Sequence, residues 1–171
     1  MQTADLLLTT YDNMLGSLDA WLSKAEQHPL GDALLADRLA ADMFPLAHQI
    51  RFVCNLPGET LARVAGLEFT SSDENDDTLA EARGRVVQTR ERIGAWRDLA
   101  FQGDGEPVEL ALPNGMTFDL DTAAYIRDWA LPQFYFHVMT AYAILRAAGI
   151  TLGKADYVGY MFRYLRHPPP A

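Results

Sequence analysis

Cysteine is almost absent from the sequence: Cys54 is the only one among 171 residues. A single thiol cannot form a disulfide within the chain, and it excludes a zinc site built from several cysteines. Long apolar runs are absent too. The first residues carry no basic segment and only three consecutive leucines, far short of a signal sequence or a membrane span. We therefore expect a cytoplasmic protein that does not enter a membrane.

Positive charge is also scarce. The chain has 14 Lys and Arg residues against 23 Asp and Glu residues, which gives a formal net charge of −9. Nucleic-acid backbones and anionic membrane surfaces attract basic proteins and repel acidic ones. The glycines do not follow the spacing of a phosphate-binding loop. The composition therefore argues against nucleic acids and membranes as partners.

Hydrophobic residues are plentiful and recur at helical spacing. They make up 49% of the chain, enough for the one core that a chain of this length is expected to bury. Their repeat of three and four positions predicts four helices, over about residues 3–27, 42–66, 78–100 and 121–149. Pro57 and Gly58 fall inside the second pattern and predict a kink or break there, and Pro132 predicts a kink or restart in the fourth.

Strand-like alternation is confined to one short region. Apolar and polar residues alternate from Val108 to Leu112, and a turn over 113–115 leads into a second alternating run, 116–120. A lone hairpin has no core of its own and must lie on the helices. The prediction is an all-α fold, a four-helix bundle with a small β-hairpin between the third and fourth helices, in a single domain over 1–171.

The C-terminal segment, residues 160–171, is apolar before it ends in prolines and reads YMFRYLRHPPPA. An apolar run of this kind needs a surface to cover it. We expect it to pack on the bundle or on a partner subunit, which favours a homodimer.

Two histidines are candidates for a functional site. His48 lies on the predicted second helix and His137 on the fourth, so they can face each other across the bundle, which is where helix bundles build metal sites. Gln133 lies one turn before His137 on the same face. A catalytic zinc usually has three protein ligands, and a neutral amide is a weak one. Two readings stay open: a divalent-metal site of His48, His137 and Gln133, or a buried hydrogen-bonded pair of Gln133 and His137.

Aromatic residues suggest a place for a small molecule. An apolar cavity with a few convergent polar groups is the usual ligand site of a protein. Tyr11 and Tyr142 could line such a cavity beside Gln133, His137 and His48, which makes these five residues the candidate ligand-binding set. The alternative is that the tyrosines are ordinary core residues.

Two segments carry a resemblance to a known family. ADMFPLAHQI, residues 41–50, and LPQFYFHVMTAYAILRAAGITLGKADYVG, residues 131–159, resemble an uncharacterised bacterial family, the domain of unknown function DUF1993, in the DinB/YfiT-like superfamily of proposed metalloenzymes. The resemblance extends over nearly the whole chain up to Gly159. It implies a DinB-like four-helix bundle, often dimeric, with three histidines that hold a divalent metal such as zinc or nickel. It also implies relatives that act as transferases or isomerases with low-molecular-weight thiols.

One position departs from the family pattern. The resemblance implies a ligand on the second helix, near His48, and an H-x-x-x-H pair on the last helix, whose second histidine matches His137. Gln133 stands in the first position of that pair. We therefore predict a dimeric small-ligand-binding or non-catalytic module with a degenerate metal site, and the alternative is a metal-dependent thiol S-transferase or isomerase.

Overall fold

The structure, a computed structural model, describes residues 3–166 of the chain, with side chains from residue 5. Four α-helices form its main body: α1 (Thr3–Ala25), α2 (Leu46–Val64), α3 (Leu79–Ala95) and α5 (Leu131–Ala147). A short helix α4 (Thr122–Ala124) and a π-helical turn (Tyr125–Ala130) lead into α5 without a break. The smaller elements are a 3₁₀ turn (Gly31–Ala36), a second 3₁₀ turn (Trp96–Asp98), β1 (Pro107–Ala111), β2 (Thr117–Asp121), α6 (Lys154–Tyr157) and a third 3₁₀ turn (Gly159–Tyr164).

The four long helices pack around one core. Helix α1 packs chiefly on α3, and α2 packs chiefly on α5. The largest buried side chains include Trp21 and Phe134, which are fully shielded from solvent. Burial of such aromatic side chains is the main source of stability in a bundle of this size. The predicted all-α fold is therefore confirmed.

Helix α2 differs from its prediction at two places. It begins at Leu46 rather than near Asp42, because Pro45 has an extended backbone and caps the helix. It also runs unbroken through Pro57, so of the predicted kink or break, the break is wrong. A side chain at Gly58 would collide with the Phe69 ring. Glycine thus lets the following loop pack closely on the helix at this point.

The predicted hairpin is present between α3 and α4. Strands β1 and β2 pair antiparallel, with Val108 opposite Leu120 and Leu110 opposite Phe118. Val108 and Leu110 are buried, so one face of the hairpin covers the bundle. The guanidinium of Arg63 donates to the Glu109 carbonyl and ties α2 to the hairpin.

The residues just before the C-terminal segment are fastened to α1. The Trp21 indole donates to the Asp156 carbonyl at 3.1 Å, and its ring stacks on Tyr157. Tyr160 still packs against the core, and the exposed residues follow it, since Phe162 and Tyr164 are 60% and 67% exposed. Residues 167–171 of the predicted apolar tail lie outside the described part of the chain. Within residues 3–166, no helix is both long and apolar enough to cross a membrane.

Candidate functional site

His137 is held from helix α2 by a residue that the sequence analysis did not single out. Its Nδ1 lies 2.8 Å from the Oε1 of Gln49. The Nε2 of Gln49 in turn donates to the carbonyl of Phe44 at 3.0 Å. Gln49 is 2% exposed, so both hydrogen bonds are shielded from water. The hydrogen-bond partner of His137 is therefore Gln49, and not Gln133.

A signal for Gln49 was present in the sequence. Leu46, Ile50 and Val53 predict the buried face of α2 because they are spaced at helical intervals. Gln49 follows Leu46 by three positions and precedes Val53 by four, so it belongs to the same face. His48 is rotated from Gln49 by about 100°, one residue of an α-helix. The helical phase thus favours Gln49 as the residue of α2 that faces α5.

The imidazole of His137 is neutral in the folded protein. Burial lowers its pKa from 6.5 to about 4, because the charged ring loses hydration on leaving water. Among the described residues, burial is the one cause of this shift. At neutral pH the ring therefore presents hydrogen-bonding nitrogens and no positive charge.

His48 has different surroundings. Its ring stacks on Phe44, with centroids 5.2 Å apart, and both ring nitrogens lie 3.3–3.4 Å from the Nδ2 of Asn75. Burial lowers the pKa of His48, and the positive charges of Arg51 and Arg38 lower it further. The structure thus places His48 against the loop that follows α2.

That loop is anchored on both sides of Asn75. Asn55 exchanges two hydrogen bonds with the backbone of Ser72, at 2.8 and 3.2 Å. Arg85 forms an ion pair with Asp76 at 2.7 Å, and this pair is largely shielded from solvent. Two fixed points so close to Asn75 hold its amide beside the His48 ring.

A continuous row of rings joins the two histidines. We call it the aromatic stripe, and its members in spatial order are Phe44, His48, Phe52, His137 and Phe136. The centroid of Phe52 lies 4.7 Å from that of His137 and 6.3 Å from that of His48. The two ends are open to solvent, since Phe44 is 57% and Phe136 is 56% exposed. The stripe is therefore an aromatic surface between α2 and α5 with a neutral imidazole set into it.

The other predicted site residues take separate positions. Gln133 is half-buried, one turn before His137, and within residues 5–166 its amide has no hydrogen-bond partner. Tyr11 is fully buried against Phe134, and burial raises the pKa of its hydroxyl. Tyr142 packs on Trp21, with centroids 5.3 Å apart. In the described part of the chain, neither tyrosine ring contacts a ring of the stripe.

The residues present do not fit a three-histidine metal site. Within the described residues, no group of three His, Cys, Asp or Glu side chains is placed to hold a metal ion. A catalytic zinc usually needs three protein ligands. His137 offers one imidazole nitrogen, Asn75 lies against both nitrogens of His48, and Gln133 offers only an amide. Cys54 adds no ligand, because burial raises the pKa of its thiol to about 12 and keeps it protonated.

Comparisons with known proteins agree with this fold. The family model DUF1993, described as a domain of unknown function, matches residues 4–158. No curated protein matches the chain. A solved structure, described as a DinB family member protein from Shewanella denitrificans, is 31% identical and has a TM-score of 0.76, with 98% of this chain and 95% of that chain covered. The resemblance seen in the sequence is confirmed, and the chain belongs to the DUF1993 family and has a DinB-like fold.

Proposed function

We propose that the protein is a small-ligand-binding helix-bundle module without catalytic activity, and that the aromatic stripe is its binding surface. The observation that carries this proposal is the neutral imidazole of His137, half-buried in a row of rings that reaches solvent at both ends. Ligand sites are mostly apolar and aromatic, with a few polar groups that fix orientation. The stripe has this composition.

Several polar side chains at the site can contact a bound ligand. His137 and Gln133 are one helical turn apart, so both can reach one bound molecule on the same face of α5. The Gln133 amide both donates and accepts hydrogen bonds, and no described residue satisfies it. His48 contributes a second ring at the other side of Phe52. Tyr11 and Tyr142 support this surface from within by packing α1 against α5.

A direct test measures binding of small aromatic compounds to the wild type and to two variants. His137→Leu keeps the apolar volume of the site but removes its polar contact, and His28→Leu, in the turn after α1, is the matched control. We expect compounds that bind the wild type to bind His28→Leu equally and His137→Leu about five-fold more weakly, the factor for one ordinary hydrogen bond. Equal binding to all three proteins would contradict the proposed site.

The alternative function is a metal-dependent thiol S-transferase or isomerase, with zinc or nickel held by His48, His137 and Gln133 and a low-molecular-weight thiol as co-substrate. A DinB-like fold is compatible with a metal. The donor set described above supplies too few strong ligands for tight binding, because an amide is a weak ligand for metals that prefer imidazole. We therefore place ligand binding before this alternative.

We further propose that the protein acts as a homodimer in the cytoplasm. Several apolar side chains of the C-terminal segment and of α5 are exposed: Tyr135, Met139, Met161, Phe162, Tyr164 and Leu165. Aromatic residues and methionine are enriched in subunit interfaces. Cys54 is a free, buried thiol, which suits a reducing compartment.

A further inference from the structure

The orientation of the Gln49 amide is fixed by its partner on the far side. A backbone carbonyl only accepts hydrogen bonds, so the group that lies 3.0 Å from the Phe44 oxygen must be the amide nitrogen of Gln49. The reversed amide would place two carbonyl oxygens against each other in a site closed to water, which is strongly unfavourable. The Oε1 of Gln49 therefore faces His137.

This orientation in turn decides which nitrogen of His137 carries the proton. The amide oxygen of Gln49 only accepts, so the Nδ1 that lies 2.8 Å from it must donate. In its neutral form the imidazole has only one N–H. The Nε2 of His137 is therefore left with a lone pair and no proton.

We propose that Gln49 is a positioning residue that holds His137 as the Nδ1–H tautomer, and that the stripe consequently selects flat apolar ligands that present an N–H or O–H donor. The proposal rests on the proposed binding function and names the class of ligand. A ring that lies beside Phe52 and Phe136 can direct a donor at the Nε2 lone pair. A ligand of the same shape that lacks the donor covers that lone pair without giving it a hydrogen bond, which is unfavourable.

The tautomer can be measured without any ligand. Two-bond ¹H–¹⁵N correlation spectra of the ¹⁵N-labelled protein distinguish protonated from unprotonated imidazole nitrogens. In the wild type at about pH 7 we expect a protonated Nδ1 and an unprotonated Nε2 for His137. An Nε2–H tautomer in the wild type would overturn the assignment.

Variants of Gln49 separate positioning from folding. Gln49→Met has a similar size but no acceptor, so the proton of His137 should move wholly or partly to Nε2. Gln49→Glu keeps an acceptor facing His137 if its other carboxyl oxygen is protonated and donates to the Phe44 carbonyl, as the amide does, and this variant should keep the proton on Nδ1. Gln133→Met is the matched control on α5 and should leave the tautomer unchanged. A Gln49→Met protein that keeps the wild-type pattern would refute the positioning role.

Ligand selectivity is tested with indole and 1-methylindole. The two probes have nearly the same flat apolar body, and only indole has an N–H donor. We expect the wild type to bind indole about five-fold more tightly, the factor for one hydrogen bond of ordinary strength, and Gln49→Met to lose this preference. Equal affinity of the wild type for both probes would overturn the selectivity. If neither probe binds, the proposed binding function fails and the selectivity fails with it, while the tautomer spectra still decide the role of Gln49.

Discussion

Mild acid should destabilise the protein through His137. Burial lowers the pKa of its imidazole to about 4, whereas a histidine in an unfolded chain has a pKa of about 6.5. As the pH falls, the unfolded state therefore binds the proton before the folded state does. The stability that the neutral ring contributes is complete above about pH 6.5 and is lost progressively as the pH falls toward about 4.

The size of the effect follows from the two pKa values. Between about pH 7 and about pH 5.2, proton linkage gives a loss of about 1.6 kcal/mol in the free energy of unfolding. The ring is only partly buried, and solvent screening reduces the loss to between about 0.8 and 1.6 kcal/mol. The lower pH stays above the isoelectric point of about 4.7, so the protein keeps a net negative charge.

Urea denaturation of three proteins isolates this contribution. His137→Phe keeps a ring of similar size that does not titrate, and His28→Phe is the control. The wild type and His28→Phe should lose between about 0.8 and 1.6 kcal/mol more than His137→Phe between the two pH values. Titration of the other groups cancels in the comparison. An equal pH dependence in all three proteins would refute a buried, neutral His137.

Three further predictions concern the dimer, the metal and the core. Replacing Phe162 and Tyr164 together by serine should weaken self-association in sedimentation equilibrium, whereas Leu67→Ser should not; a wild type that is monomeric at every concentration would rule out the dimer. Zinc or nickel added to untagged protein should change the melting temperature by no more than about 1 °C. A metal present at a hundredfold excess over its Kd would raise the free energy of unfolding by about 2.7 kcal/mol, and such a rise would instead favour the metalloenzyme. In urea denaturation, Gly58→Ala should lower the free energy of unfolding by about 1–3 kcal/mol because the Phe69 ring occupies the space of the added methyl group. Gly84→Ala, in open space on α3, should raise it by about 0.5–1 kcal/mol. Changes of the same sign in the two variants would contradict this packing.

The helices and the hairpin were predictable because their signals are local. The period of apolar residues reports which face of a helix is buried, and the turn over 113–115 sets the hairpin. The helix continues through Pro57 although the proline lacks a backbone N–H, so the local proline signal overstated the interruption of α2. The Phe69 ring that packs against Gly58 lies beyond the end of the helix, and spacing within α2 carries no trace of it.

The candidate site was predicted only in part. His48, His137 and Gln133 were identified as residue types with useful chemistry. The Phe52 ring links His48 to His137, whereas among the described residues Gln133 forms no hydrogen bond with either histidine. The hydrogen bond of His137 to Gln49 depends on how α2 is rotated about its axis. The apolar face of α2 fixes that rotation, whereas the polar residues considered by themselves do not reveal it. The contact of His48 with Asn75 depends on the course of a loop, which the helical spacing of apolar residues does not predict.

The ¹⁵N resonance of the His137 Nε2 during a titration with indole tests the central claim most directly. A pyridine-type nitrogen that begins to accept a hydrogen bond moves to lower frequency, so binding at the stripe should shift this resonance saturably while the corresponding resonance of His28 stays in place. The account predicts that selective shift. No shift at His137, or equal shifts at His137 and His28, would contradict it.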